Sequence, residues 1–91
     1  MAANFHIISC ENKDGLHLKL KGDFDGTSAC ELLETIKKHG SSFYRIFIDT
    51  NNLKTINPFG REVFQKKLST FKQQSSHLVF IGENGRKISP N

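Results

Sequence analysis

Long apolar runs are what this sequence lacks first. No stretch approaches the ~18 apolar residues that a membrane-crossing helix needs, so no span and no direct membrane insertion is expected. The opening residues, Met1-Ala2-Ala3-Asn4-Phe5, carry neither a basic flank nor an apolar signal region, so the expectation is a cytoplasmic protein. Cysteine is scarce: Cys10 and Cys30 are far apart and form no motif. They read as two small buried thiols in a reducing compartment. His6, His17, His39 and His77 are scattered over separate elements, so no metal site can be assembled from His and Cys. There is no Gly-x-Ser-x-Gly, and no Ser or Cys placed on a sharp strand-to-helix turn, as a nucleophilic triad would require. A Gly-rich phosphate loop is missing as well. Gly22-Asp23-Phe24-Asp25-Gly26 carries two acids where a phosphate cradle wants bare amides. With no acid/base or nucleophile pair to name, the chain reads as non-enzymatic and without a cofactor.

What is present is an ordinary globular composition. The 91 residues make one domain, a size that buries somewhat over ~60% of the unfolded surface in one modest core. Thirteen basic residues against nine acidic ones give a net charge of +4. The basic residues are dispersed: Lys19, Lys21, Lys37, Lys38, Lys66, Lys67 and Lys72 fall on three predicted elements. No aromatic residues alternate with them in a stacking pattern, so nucleic acid is not an expected partner.

The apolar pattern lays out the elements. Residues 5–11 read as a strand. Leu16, Leu18 and Leu20 alternate with His17, Lys19 and Lys21, the pattern of a half-buried strand with Leu inward. Lys13-Asp14-Gly15 reads as a three-residue hairpin loop with Gly15 in the left-handed position. That loop would pair Asn12 with Leu16, Cys10 with Leu18 and Ile8 with Leu20, turning Ile8 and Cys10 inward, and set Glu11 opposite His17. Residues 22–26 read as a loop. A helix follows over 27–39, with Ala29, Leu32, Leu33 and Ile36 on one apolar face. Ser28, Thr27 or Asp25 is its cap. Lys37, Lys38 and His39 suit its negative end, and Gly40 ends it. Residues 44–49 and 78–81 are continuous apolar strands of the kind covered on both faces. Between them a helix runs over 58–72, with Asn57 as N-cap, Pro58 in the first position, and Val63, Phe64, Leu68 and Phe71 as its buried stripe.

The fold class is therefore α/β. The order strand, strand, helix, strand, helix, strand makes a mixed four-stranded sheet with both helices on one face. Residues 1–82 form the domain, and 83–91, polar and Gly-rich, read as a flexible tail. Asp23, Asp25 and Asp49 converge at one edge of the sheet, where acids cap turns and helix starts more often than they hold Mg²⁺.

Three segments carry a family resemblance. Leu18-Lys19-Leu20-Lys21-Gly22-Asp23-Phe24-Asp25, Thr27-Ser28-Ala29 through Leu33, and Phe47-Ile48-Asp49 with Leu53 and Ile56-Asn57-Pro58-Phe59-Gly60 resemble, in that order, the signature segments of STAS domains. This is the module of sulphate transporters and anti-sigma factor antagonists. The resemblance spans about residues 5–82. It implies a cytoplasmic, bacterial, non-enzymatic signalling module that works by protein–protein contact. The implied partner is an anti-sigma factor kinase or a related regulatory protein. The contacts would come from the loops at 23–25 and 50–57 and from the first turns of the second helix, which makes Asp23, Asp25, Thr55, Asn57, Phe59 and Arg61 the candidate partner-binding residues.

In antagonist members a Ser or Thr just before the final Gly accepts a phosphate. Here Phe59 stands in that position and cannot be phosphorylated. Thr50 and Thr55 are the nearest hydroxyls and the displaced candidates. Family members also add a helix after the last strand, and none is legible here. Phe5, Ile7, Phe47 and part of 78–81 would then lack a cover, leaving an apolar face to dock a partner chain or a second copy as a homodimer. The resemblance also allows an accessory subunit of a membrane transporter. A rival reading is a small-anion or nucleotide binder at the helix start, with the anion held by Arg61 and the amides of Phe59 and Gly60.

Overall fold

The computed structural model describes residues 4–39, 45–69 and 77–88. Its elements are β1 (His6–Asn12), β2 (Gly15–Phe24), α1 (Gly26–His39), β3 (Arg45–Ile56), α2 (Pro58–Leu68), β4 (His77–Ile81) and α3 (Gly85–Ile88). The four strands form one sheet in the order β1-β2-β3-β4. β1 is antiparallel to β2, while β2/β3 and β3/β4 are parallel. Parallel neighbours need a crossover, and α1 and α2 lie within those connections.

Alternation decides which face is covered. Leu16, Leu18 and Leu20 of β2 and Ile46 and Ile48 of β3 are all buried, against Ala29, Leu32, Leu33 and Ile36 of α1 and Phe64 and Leu68 of α2. The residues between them in sequence, His17, Lys19, Phe47 and Asp49, face away from the helices and are half-buried or exposed. This is the expected mixed α/β sheet with its helices on one face. Phe5, Phe24, Phe64 and Phe80 run through the core edge to face, with ring centroids 6.1, 5.9 and 6.0 Å apart. Such pairs add about 0.5–1.5 kcal/mol each beyond the area they bury. Among the described residues no helix is long and apolar enough to cross a membrane. Gly40, Tyr44, Phe71, Lys72 and the return loop at 73–76 lie outside the described residues.

The structure corrects the sequence reading in several places. The hairpin closes over two residues rather than three, with Asn12 opposite Gly15. Asn12 Oδ1 accepts the Asp14 amide at 2.8 Å, which tightens the turn. Gly15, at φ +142°, becomes the first residue of β2. A one-residue slip exchanges the faces of a strand. Ile7 therefore pairs with Leu20 and packs on the core, while Ile8 is 47% exposed. Cys10, not Glu11, sits opposite His17. Both cysteines are exposed rather than buried. Cys10 follows the slip, and Cys30 lies off the apolar stripe of α1.

β3 is much longer than the apolar run that announced it. Residues 50–56, read as a loop, continue the strand and pair with Lys21–Phe24, of which Gly22–Phe24 were also read as loop. The pairing breaks register twice, between Lys19 and Lys21 and between Gly22 and Asp23. Each break takes an extra residue into β3, the signature of a bulge.

The expected loose tail is a short helix for as far as it is described. Ile88 of α3 is fully buried in the core, and Gly85 is buried too. One apolar side chain suffices to dock this segment, which is why no periodicity announced it. The uncovered face holds only part of the expected set, Phe47 and Val79. Phe5 is core and Ile7 packs against it. Cys10 and His17 complete the open side, so a row runs across all four strands through Cys10, His17, Phe47 and Val79. His17 stacks on Phe47 at 4.4 Å and so half-buries it.

Candidate functional site

The carboxyl ends of β2 and β3 lie side by side, and each opens into a helix. At the first, Asp25 is the cap of α1. Its Oδ1 accepts the Ser28 amide at 2.9 Å, and its carbonyl accepts the Ala29 amide at 2.9 Å. The fully buried Ser28 hydroxyl lies 2.8 Å from the Asp23 carbonyl and 3.0 Å from Asp25 Oδ1, two acceptors for its single proton. The Ser28 backbone donor is the main reason the Asp25 carboxyl sits below the usual carboxylate range.

At the second start, Asn57 caps α2. Its backbone is extended, its amide donates to the Phe24 carbonyl at 2.8 Å, and its Oδ1 accepts the Phe59 amide at 2.8 Å. Pro58 fills the first helical position, where no donor is needed. Gly60 is buried against the other start. A Cβ placed on it would stand 2.5–2.7 Å from the backbone of Asp25, so only glycine permits this approach. Phe59 leans its ring edge over Gly26 but remains 66% exposed. The two starts thus form one platform with an aromatic ring on top.

The remaining candidates divide. Asp23 and Thr55 are neighbours in the β2/β3 pairing, and the Thr55 hydroxyl donates to Asp23 Oδ1 at 2.7 Å. Asn4 Nδ2 donates to the other oxygen at 2.8 Å. Thr55 first, then Asn4, hold the Asp23 carboxyl below the usual range. A phosphate on Thr55 would face that carboxylate, which disfavours it there. Burial disfavours Thr50 as a phosphosite. The residue is fully buried, and its hydroxyl donates to the Ile81 carbonyl at 2.6 Å. Of the anion cradle expected from Arg61 and the amides of Phe59 and Gly60, the Phe59 amide is already held by Asn57 Oδ1. Asp49 Oδ1 accepts the Asn51 amide at 3.0 Å, beside the first bulge. Asp23, Asp25 and Asp49 are each engaged locally, and among the described residues no group of three or more His, Cys, Asp or Glu could hold a metal ion.

Arg61 instead lines an open groove of about 140 Å³ together with Lys54, Thr55, Pro58, Asn84 and Lys87. Asn84 Nδ2 donates to the Thr50 carbonyl at 3.1 Å, which ties the approach to α3 onto β3. Lys54, Asn84 and Lys87 had no signal in the sequence. Lys54 lay in an apparent loop and the other two in an apparent tail. Ser28 was visible as a cap candidate but not as a buried brace between the two acids.

Three comparisons bear on this arrangement. No family model matches the chain, and no curated protein matches it. Among solved structures, the chain is similar to an uncharacterized protein of the DUF3478 family from Shewanella loihica PV-4, described as having a SpoIIAA-like fold. The likeness has a TM-score of 0.56 at 13% identity and covers 88% of this chain and 70% of that one. The chain has a SpoIIAA-like fold, which is the fold of STAS domains and anti-sigma factor antagonists.

Proposed function

We propose that this chain is a non-enzymatic protein–protein interaction module of the anti-sigma factor antagonist type, acting in bacterial cytoplasm through the platform at the two helix starts. The observation that carries the reading is the 66% exposure of Phe59 on a backbone fixed from both sides. Asn57 caps the helix beneath it and Gly60 locks that helix against Asp25. An aromatic side chain held out by a rigid base loses little entropy on docking, and exposed aromatic anchors of this kind dominate interface energies. The SpoIIAA-like fold supports the same reading, since by the STAS resemblance this helix start is the part that meets the kinase. The phosphoacceptor position is filled by Phe59, so the contact is not switched by phosphate on this chain at that residue. The partner is an anti-sigma factor kinase or a related regulatory protein.

Calorimetric titration against the anti-sigma factor kinases of the same genome tests the reading. A complex should form, and Phe59→Ala should weaken it at least about tenfold, the loss expected of an aromatic anchor, with an unchanged melting temperature. A complex indifferent to Phe59→Ala would move the interface off the platform.

A further inference from the structure

We propose that the groove between the end of β3, the first turn of α2 and α3 binds a phosphoryl group supplied from outside this chain. Lys54, Arg61 and Lys87 come from three different elements and line the same groove of about 140 Å³, with no carboxylate among the lining residues. Asp23 borders the groove beside Thr55 and acts on Lys54; its oxygens are held by the neutral groups of Thr55 and Asn4, so it stays ionised and offsets part of one of the three positive charges. Three like charges gathered around one small concavity raise its potential and favour an anion within it. Pro58 adds the positive end of α2 to the same wall. The guanidinium of Arg61 offers the planar fork that pairs two oxygens of a phosphate, and the two ammonium groups supply compact charge for the remainder. A dianion with three acceptor oxygens matches three cations better than a carboxylate, which brings one charge.

The placement of α3 assembles the groove. The Lys87 amide donates to the Asn84 carbonyl at 3.1 Å, Asn84 is tied to Thr50, and Ile88 is anchored in the core, so Lys87 is carried on a fixed support. The site does not depend on the Phe59 platform, and a failure of either leaves the other standing.

Amide chemical shifts followed during titration with inorganic phosphate test it, with chloride at matched ionic strength as the reference. Saturable shifts at Lys54, Thr55, Arg61 and Lys87 with phosphate alone are expected. The double variant Arg61→Gln/Lys87→Gln should weaken the effect at least tenfold while keeping native shift dispersion elsewhere, and Lys38→Gln on α1 should leave it unchanged. Shifts that follow ionic strength only, or that Lys38→Gln reduces as much as the double variant does, would overturn the site in favour of diffuse attraction to a basic protein. A phosphoserine peptide and its serine counterpart distinguish the sources. Tighter binding of the phosphopeptide than of phosphate assigns the group to a partner's modified side chain, and equal or weaker binding assigns it to a free anion.

Discussion

Two helices start side by side at the carboxyl edge of this sheet, and their starts are built in opposite ways. The start of α1 is sealed. Asp25 accepts the amide of the fully buried Ser28, whose hydroxyl lies between the Asp25 carboxyl and the Asp23 carbonyl with one proton for the two. The start of α2 is open. Asn57 holds the Phe59 amide, but the Phe59 ring projects into solvent and Arg61 turns to the cationic groove. Gly60 is the joint where the open start rests on the sealed one. The contrast teaches a division of labour: one helix start fixes the edge so that its neighbour can present side chains without collapsing onto the core.

Gly60→Ala should break this comparison most severely. In a free helix the change would gain about 1 kcal/mol. Here the new methyl meets the Asp25 backbone, and overpacking of this kind costs about 1–3 kcal/mol, so a lower urea midpoint is expected. A midpoint at or above wild type would show that the two starts do not touch. Asp25→Ala and Asn57→Ala then separate the sealed cap from the open one. Loss of a cap costs about 1 kcal/mol, within a range of 0.5–2. Asp25→Ala should lie at the upper end, because the amide of the buried Ser28 loses its acceptor and its hydroxyl one of two, and Asn57→Ala nearer the middle. Equal losses would erase the distinction.

The smallest effect expected is on acid stability. Asp23 and Asp25 both sit below the usual carboxyl range in the folded chain. Unfolding therefore raises their proton affinity. The stability they contribute is complete above the unfolded value, about pH 4, and is lost as pH falls through the lower folded values. Melting temperatures followed into acid should fall for the wild type and fall less for Asp25→Asn, whose amide does not titrate. A parallel decline in both would place the acid sensitivity elsewhere.

Much of the scaffold was legible because its signals are local. The stripe Ala29, Leu32, Leu33, Ile36 is the buried face of α1, and Asn57-Pro58 starts α2 where the cap chemistry said it would. The alternating leucines of β2 face the helices as their spacing required. The hairpin register was not legible, because a side-chain bond from Asn12 chose between two loops differing by one residue. That choice moved Ile8 and Cys10 to the open face.

The site was only half visible. Its residues at 23–25 and 57–61 stood out as turn and cap chemistry. Thr50 looked available beside them, yet it is buried with its hydroxyl on Ile81. Lys54 and Lys87 looked unremarkable, yet they share a groove with Arg61.

The sequence by itself determined the elements whose information is carried by near neighbours: hydrophobic period, capping residues, and the alternation that selects one face of the sheet. Tertiary structure alone decided what depends on residues far apart in the chain. The polar segment 50–56 became strand because Lys21–Phe24 offered it an edge to pair with, two bulges in the segment itself absorbing the mismatch, and 85–88 became helix because the core had room for Ile88. Backbone pairing and burial reward whichever segment arrives at the right place, whatever its own propensity. The convergence of Lys54, Arg61 and Lys87 therefore exists only once the chain has folded.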